Sequence, residues 1–232
     1  MHPHLVFEAL GYVIGFLIYL RLRRTRGDVL DGDARWWIIA AAILGAAIGS
    51  KVLFWLENPA ETLVNWRDPI FLLGGKTVVG ALVGGLVAVE FAKQRLGITA
   101  RTGDLFAIPL AAGIGIGRLG CFLSGLPDRT YGLPSTQPWA VDFGDGIPRH
   151  PTQLYEAAFL AVVAGFLAWI LSRPHREGDV FRMFMVGYLG FRLIVDAIKP
   201  EVRLALGLSA IQWTALAVIV HYRHDVARWL TK

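Results

Sequence analysis

Cysteine is nearly absent from this chain: Cys121 stands alone among 232 residues. A single thiol excludes an intramolecular disulfide framework and a thiolate zinc cluster. Charge is scarce as well. Asp, Glu, Lys and Arg make up 18% of the residues, where a soluble domain carries about a quarter. The pattern Gly-x-x-x-x-Gly-Lys-Ser/Thr is missing, so Lys76 in Gly74-Gly-Lys-Thr belongs to no Walker loop. No internal repeat is visible, which argues against a transporter built from duplicated halves. Nothing basic precedes the first apolar run and a basic cluster follows it. That reverses the charge order of a cleavable signal peptide, so the run is expected to remain as a span. No cluster of metal-ligating residues stands out, and neither a metal nor a cofactor is expected.

What the chain has is apolar length. Hydrophobic residues make up 55% of it, gathered in seven runs at about 5–20, 34–56, 69–92, 104–124, 153–172, 180–198 and 207–222, most reaching the ~20 residues that cross a bilayer as a helix. The expectation is an all-α integral membrane protein with about seven transmembrane helices in one polytopic domain, residues 1–232. Arg21, Arg23, Arg24 and Arg26 follow the first run, Lys93, Arg95 and Arg101 the third, Arg173 and Arg176 the fifth, and Arg223, Arg228 and Lys232 the last. The alternate loops are poorer in basic residues, which places the N-terminus outside and the C-terminus in the cytoplasm. The same alternation accounts for the net charge of +5, so no nucleic acid is expected as a partner. The connection at about 125–152 exceeds the ~12–15 residues beyond which loops are usually functional or disordered. With Tyr131, Trp139 and Phe143 in it, it is expected to fold over the outer mouth. The pairs Gly45/Gly49, Gly80/Gly84 and Gly113/Gly117 have the small-xxx-small spacing of close helix packing.

Within the apolar runs, a few polar side chains are expensive to hold. Arg118 falls about six residues from the end of the fourth run, and a guanidinium at membrane depth costs roughly 2.5–3.5 kcal/mol on insertion scales. It stays charged, so it needs a carboxylate, a phosphate or a wet cavity. Arg192 and Asp196 lie four apart on one helix face, either as a self-contained pair or as an arginine oriented by its neighbour towards an anion. Pro148-Arg-His-Pro-Thr-Gln-Leu-Tyr-Glu stands at the start of the fifth run, where Thr152 or His150 is a candidate cap and the free amides of a helix N-terminus favour anions. His150, Gln153, Tyr155 and Glu156 gather there. Glu8 in the first run is a candidate arginine partner or proton acceptor. Lys76 either snorkels or joins Arg118 on a phosphate. By the expected topology these groups, with Arg192 deeper, form a polar pocket open to the outer leaflet.

Three segments in order, Gly117-Arg-Leu-Gly-Cys-Phe-Leu-Ser-Gly, Arg149-His-Pro-Thr-Gln-Leu-Tyr-Glu and Gly190-Phe-Arg-Leu-Ile-Val-Asp, resemble the prolipoprotein diacylglyceryl transferase family. The closing Gly207-Leu-Ser-Ala-Ile-Gln is similar to that family's last span. The resemblance implies a bacterial inner-membrane enzyme that moves the diacylglyceryl group of phosphatidylglycerol onto a lipobox cysteine and releases glycerol phosphate. It implies that Arg118 and Arg192 hold the lipid phosphate, with Asp196 where the family usually has Glu. It also departs from the family. Val79 stands in the place of a family His, Cys121 in that of an Asn, and Glu8 in that of a Tyr, with Tyr12 one turn on.

The expected catalytic residues are therefore Arg118, Arg192, His150, Glu8 and Asp196, and the expected substrate contacts are Lys76, Gly117, Gly120, Ser124, Gln153, Tyr155 and Glu156. The expected partners are an anionic phospholipid, phosphatidylglycerol by resemblance, and prolipoprotein signal peptides. Three rival readings stay open: a phospholipid-dependent transferase with another acceptor, a catalytically silent lipid-binding protein, and a structural partner in a membrane complex. Cys121 reads as a small buried apolar residue or as a reactive thiol.

Overall fold

The computed structural model describes residues 3–27, 30 and 32–231. It is mostly helical: α1 Pro3–Arg26, α2 Gly32–Glu57, α3 Pro59–Val64, α4 Pro69–Gly74, α5 Val78–Arg95, α6 Asp104–Ser124, α7 Thr152–Leu171, α8 Asp179–Val195, α9 Ala210–His221 and α10 Arg223–Leu230. Four of these, α1, α2, α6 and α7, are long and apolar enough to cross a membrane, and the chain is a multi-pass membrane protein. The first expected run grows to the 24 residues of α1. The last shrinks to the 12 of α9, about 18 Å of helix.

The third expected run is not one helix. It breaks at Gly75–Thr77 into α4 and α5, and local chemistry holds the break. Asp68 caps α4 by accepting from Ile70 N. Thr77 caps α5, its hydroxyl accepting from Gly80 N at 3.1 Å, while its own amide donates to Ser50 Oγ at 2.9 Å. Lys51, a cation inside α2, donates to the carbonyls of Leu73 and Gly75. These are the acceptors that the end of a helix leaves open.

The chain divides into two compact units. One holds α2 to α5 and Glu201–Val218. Here α2 and α5 cross with their glycines face to face: a Cβ on Gly45 would lie 2.5 Å from Gly84 O, and one on Gly49 2.3 Å from Gly80 O. Two of the three expected glycine pairs thus serve one close crossing. Ser209 and Gln212 form a reciprocal capping box at the start of α9, with Ser209 N donating to Gln212 Oε1 and Gln212 N to Ser209 Oγ.

The other unit holds α1, α6, α7, α8, α10 and the loop between α6 and α7. Helix α1 ends on Arg23, Arg24 and Arg26, whose charge suits a helix C-terminus, and on Gly27 at φ 81°, the left-handed stop. It packs on α6 through Gly11, where a Cβ would meet Gly113 O at 2.6 Å. Asp104 of α6 caps α8 from outside, accepting from Gly178 N and Phe181 N. Asp179, at the start of α8, takes a forked pair of bonds from Arg228 of α10 at 2.7 and 2.8 Å.

Residues 125–152 are ordered. Val141–Asp142 and Pro148–Arg149 pair as a short antiparallel ribbon, β1 and β2. Tyr131 stacks on Phe143. Leu133 N donates to Ile198 O, and Thr152 Oγ1 donates to Thr130 O. Thr152 is therefore spent on the loop and does not cap α7, whose capping position is Pro151 with no side-chain bond.

Candidate functional site

The unit of α1, α6, α7 and α8 brings five charged groups together under cover. Arg118, Glu156, Arg192, Asp196 and Lys199 are each between 0 and 8% exposed. They come from the last third of α6, the second turn of α7, the last turn of α8 and the segment just after it. Glu156 is the centre. Its Oε2 lies 2.9 Å from Arg118 Nε, and its Oε1 accepts from Tyr188 Oη at 2.6 Å. Tyr188 Oη in turn accepts from Arg192 Nη1 at 3.4 Å. Arg192 then grips Asp196 through Nε and Nη2, with four N–O distances of 2.9–3.2 Å. A buried relay thus runs Arg118, Glu156, Tyr188, Arg192, Asp196.

The two arginines differ in what they have left to give. Arg192 is committed to Asp196 in the forked geometry that makes arginine–carboxylate pairs strong. Arg118 is not committed. Its Nε faces Glu156 as an ion pair, but the N–H points off the oxygen and finds no acceptor among the described residues. Among the described residues its Nη1 reaches only the Cys121 sulfur, at 3.9 Å. Among the five charged groups three are cations and two are anions, and the cation with spare donors is Arg118. Lys199 lies within electrostatic reach of both arginines and both carboxylates.

Gln153 adds a second open valence. It sits three residues before Glu156 on the same face of α7, is 1% exposed, and neither its amide nitrogen nor its amide oxygen has a partner among the described residues. A buried amide left so costs about 1–3 kcal/mol, which a polar ligand would return.

A second polar group stands at the start of α7. His150 Nδ1 lies 3.1 Å from Tyr155 Oη, which accepts from Trp139 Nε1 at 2.6 Å. Trp139 of the loop thus holds Tyr155, and Tyr155 fixes the imidazole. Near the start of α1, Glu8 accepts from Tyr12 Oη at 3.1 Å and lies 3.4 Å from His4 Nε2.

The remaining expected residues fall elsewhere. A Cβ on Gly117 would meet nothing within 4 Å, which leaves room beside Arg118. Gly120 is a packing glycine, since a Cβ there would lie 2.6 Å from Phe7 Cβ. Ser124 turns its hydroxyl back to Gly120 O at 2.8 Å. Lys76 belongs to the other unit, between α4 and α5. Sequence reasoning missed Tyr188, Lys199, His4 and Asp128. Tyr188 reads as one more aromatic in an apolar helix, and Lys199 beside Pro200 reads as a loop cation.

The family model described as prolipoprotein diacylglyceryl transferase matches residues 1–223. The phosphatidylglycerol–prolipoprotein diacylglyceryl transferase of Bordetella parapertussis is 34% identical over 234 residues, covering 91% of this chain and 86% of that protein. The protein of the same name from Bordetella bronchiseptica is 36% identical with the same coverage. That of Vibrio atlanticus is 31% identical over 212 residues, covering 85% of this chain and 75% of its own.

Proposed function

The chain belongs to the prolipoprotein diacylglyceryl transferase family, and from that premise we propose that it transfers the diacylglyceryl group of phosphatidylglycerol to the lipobox cysteine of a prolipoprotein. The reaction takes place at the outer leaflet of the bacterial inner membrane. The α4–α5 pair, α8 and α9 complete the seven crossings, the N-terminus lies outside, and the loop at 125–152 covers the outer mouth. The observation that carries the reading is the buried relay that ends in Arg118, with its spare donors beside the open amide of Gln153.

In the reaction the acceptor sulfur forms a bond to the glyceryl carbon and the bond from that carbon to the phosphate oxygen breaks. The electron pair leaves with glycerol phosphate, and the thiol proton goes to a base. Charge grows on the departing phosphate, and a donor fixed in place in a dry site stabilises it without reorganisation. Arg118 supplies that donor, with Gln153 on a neighbouring oxygen. Glu156 and Tyr188 hold Arg118 and Arg192 in register, so Arg192 acts through the relay and adds positive field. Asp196 is enclosed by Arg192 and orients it. His150 takes the proton at Nε2, in the tautomer whose Nδ1–H donates to Tyr155 Oη at 3.1 Å. The family His replaced by Val79 is not needed for that step.

The test is turnover by the purified protein of phosphatidylglycerol and a lipobox peptide, followed by mass spectrometry of the thioether-linked product. Arg118→Ala is expected to lower kcat/KM by about 10²–10³, as loss of a charge-stabilising donor does. Equal turnover in Arg118→Ala, or a product on some acceptor other than the cysteine, would overturn the assignment.

A further inference from the structure

Three ligand types converge where α1 begins and α6 ends. His4 is in the first turn of α1, Cys121 in the last turn of α6, and Asp128 in the turn of 3-10 helix that follows. Their ligand atoms all lie within 4.8 Å of one another. His4 Nδ1 is 3.0 Å from Asp128 Oδ1 and 3.8 Å from Cys121 Sγ. We propose that His4, Cys121 and Asp128 bind a thiophilic divalent cation of the zinc class, with a fourth position open.

The spacing suits such an ion. A tetrahedral zinc with sulfur at ~2.3 Å and nitrogen or oxygen at ~2.0–2.2 Å sets its ligands about 3.3–3.6 Å apart. The two measured separations lie a few tenths of an ångström either side of that range. The surroundings also orient each ligand. The far nitrogen of His4, Nε2, faces Glu8 Oε2 at 3.4 Å. A metal-binding histidine usually gives its other N–H to a carboxylate, which turns the free lone pair to the metal. The far oxygen of Asp128, Oδ2, accepts from Thr130 Oγ1, which leaves Oδ1 facing His4. A ring nitrogen, a carboxylate oxygen and a sulfur therefore face one another within 4.8 Å, and all three are acceptors once the thiol proton has left.

The charge balances too. Arg118 lies 3.9 Å from the sulfur, and its own charge is met by Glu156 at 2.9 Å. Thiolate and Asp128 together neutralise a divalent ion. On binding, the cation displaces the Cys121 proton to solvent. The inference does not depend on the transferase reading.

Cobalt(II) titrated into the chelator-treated full-length protein in detergent is the first test. A thiolate-to-cobalt charge-transfer band at one ion per chain is expected. His4→Ala and Asp128→Asn should each weaken cobalt affinity at least tenfold while eluting from a sizing column as the parent does. The second test needs no variant, because Cys121 is the sole thiol. Zinc should slow its alkylation by a maleimide at least tenfold. Absence of the band, or an alkylation rate unchanged by zinc, would show that the three residues are hydrogen-bonded neighbours only and would overturn the proposal.

Discussion

Arg118 and Gln153 are, among the described residues, the buried side chains with polar atoms that find no hydrogen-bond partner. That makes their substitution informative in opposite ways. Gln153→Leu removes a buried amide with no partner, and an unsatisfied group of this kind costs about 1–3 kcal/mol. The lipid-free protein is therefore expected to gain about 1 kcal/mol in unfolding free energy, while kcat/KM for phosphatidylglycerol falls about tenfold, since a lost hydrogen bond to a charged group is worth about 1.5–3 kcal/mol. A denaturant titration beside a turnover assay checks both. Losses in stability and turnover together would mean that Gln153 is a packing residue. Most of this site was legible in the chain. Arg118, Glu156, Arg192 and Asp196 stand out because charge in an apolar run is expensive. Which carboxylate meets Arg118 was not legible. Glu8 was the expected arginine partner and Glu156 an expected substrate contact, and the pairing of Arg118 with Glu156 depends on how α6 and α7 pack. Tyr188 carried no signal, because its hydroxyl matters only through the two groups that flank it.

At the scale of elements, the third apolar run shows where a hydropathy reading stops. Residues 69–92 look like one span, yet Asp68, Thr77 and Lys51 supply the caps for two helices. Two of the contacts that hold the break, the Ser50 hydroxyl that accepts from Thr77 N and the reach of Lys51, come from α2 and have no local pattern. The glycine spacing, by contrast, was legible, since small residues four apart mark a helix face wherever the partner lies. Gly49→Leu is expected to cost about 1–3 kcal/mol or more, the range for overpacking, because its Cβ would lie 2.3 Å from Gly80 O. Gly165→Leu is the control, with nothing within 4 Å of its Cβ, and should fold at parental yield. In the loop, Arg149 holds the Asp145 carboxyl below the usual carboxylate range through two bonds of 2.7 Å. A depressed carboxyl contributes its stability above the unfolded value of about 3.9, and the contribution fades as pH falls through the lower folded value. Amide exchange in residues 141–149 should therefore be flat from about pH 7 to 5, after correction for intrinsic rates, and should rise only below about pH 4. Asp145→Asn should remove that rise.

For the whole molecule, a site with spare donors makes stability depend on lipid. A ligand that binds only the folded state adds about 2.7 kcal/mol at a hundred times its dissociation constant. Phosphatidylglycerol added to the delipidated protein is expected to raise Tm by several degrees, while phosphatidylcholine leaves it within about one degree, and Arg118→Ala should lose the difference. The membrane class and multi-pass character were legible from the runs alone. The helix lengths were not, since α1 draws on polar turns at both ends and α9 stops at His221. The crossing of α2 on α5 has one more consequence. Backbone of the facing helix lies within 2.2–2.5 Å of a Cβ at each of Gly45, Gly49, Gly80 and Gly84, so side-chain movement alone cannot absorb a change there. In a saturation screen for lipoprotein-dependent growth, these four positions would come out as intolerant as the arginines. A map of intolerance drawn on this chain would mark a seam as though it were an active centre, and only an assay of folded protein beside growth would tell the two apart.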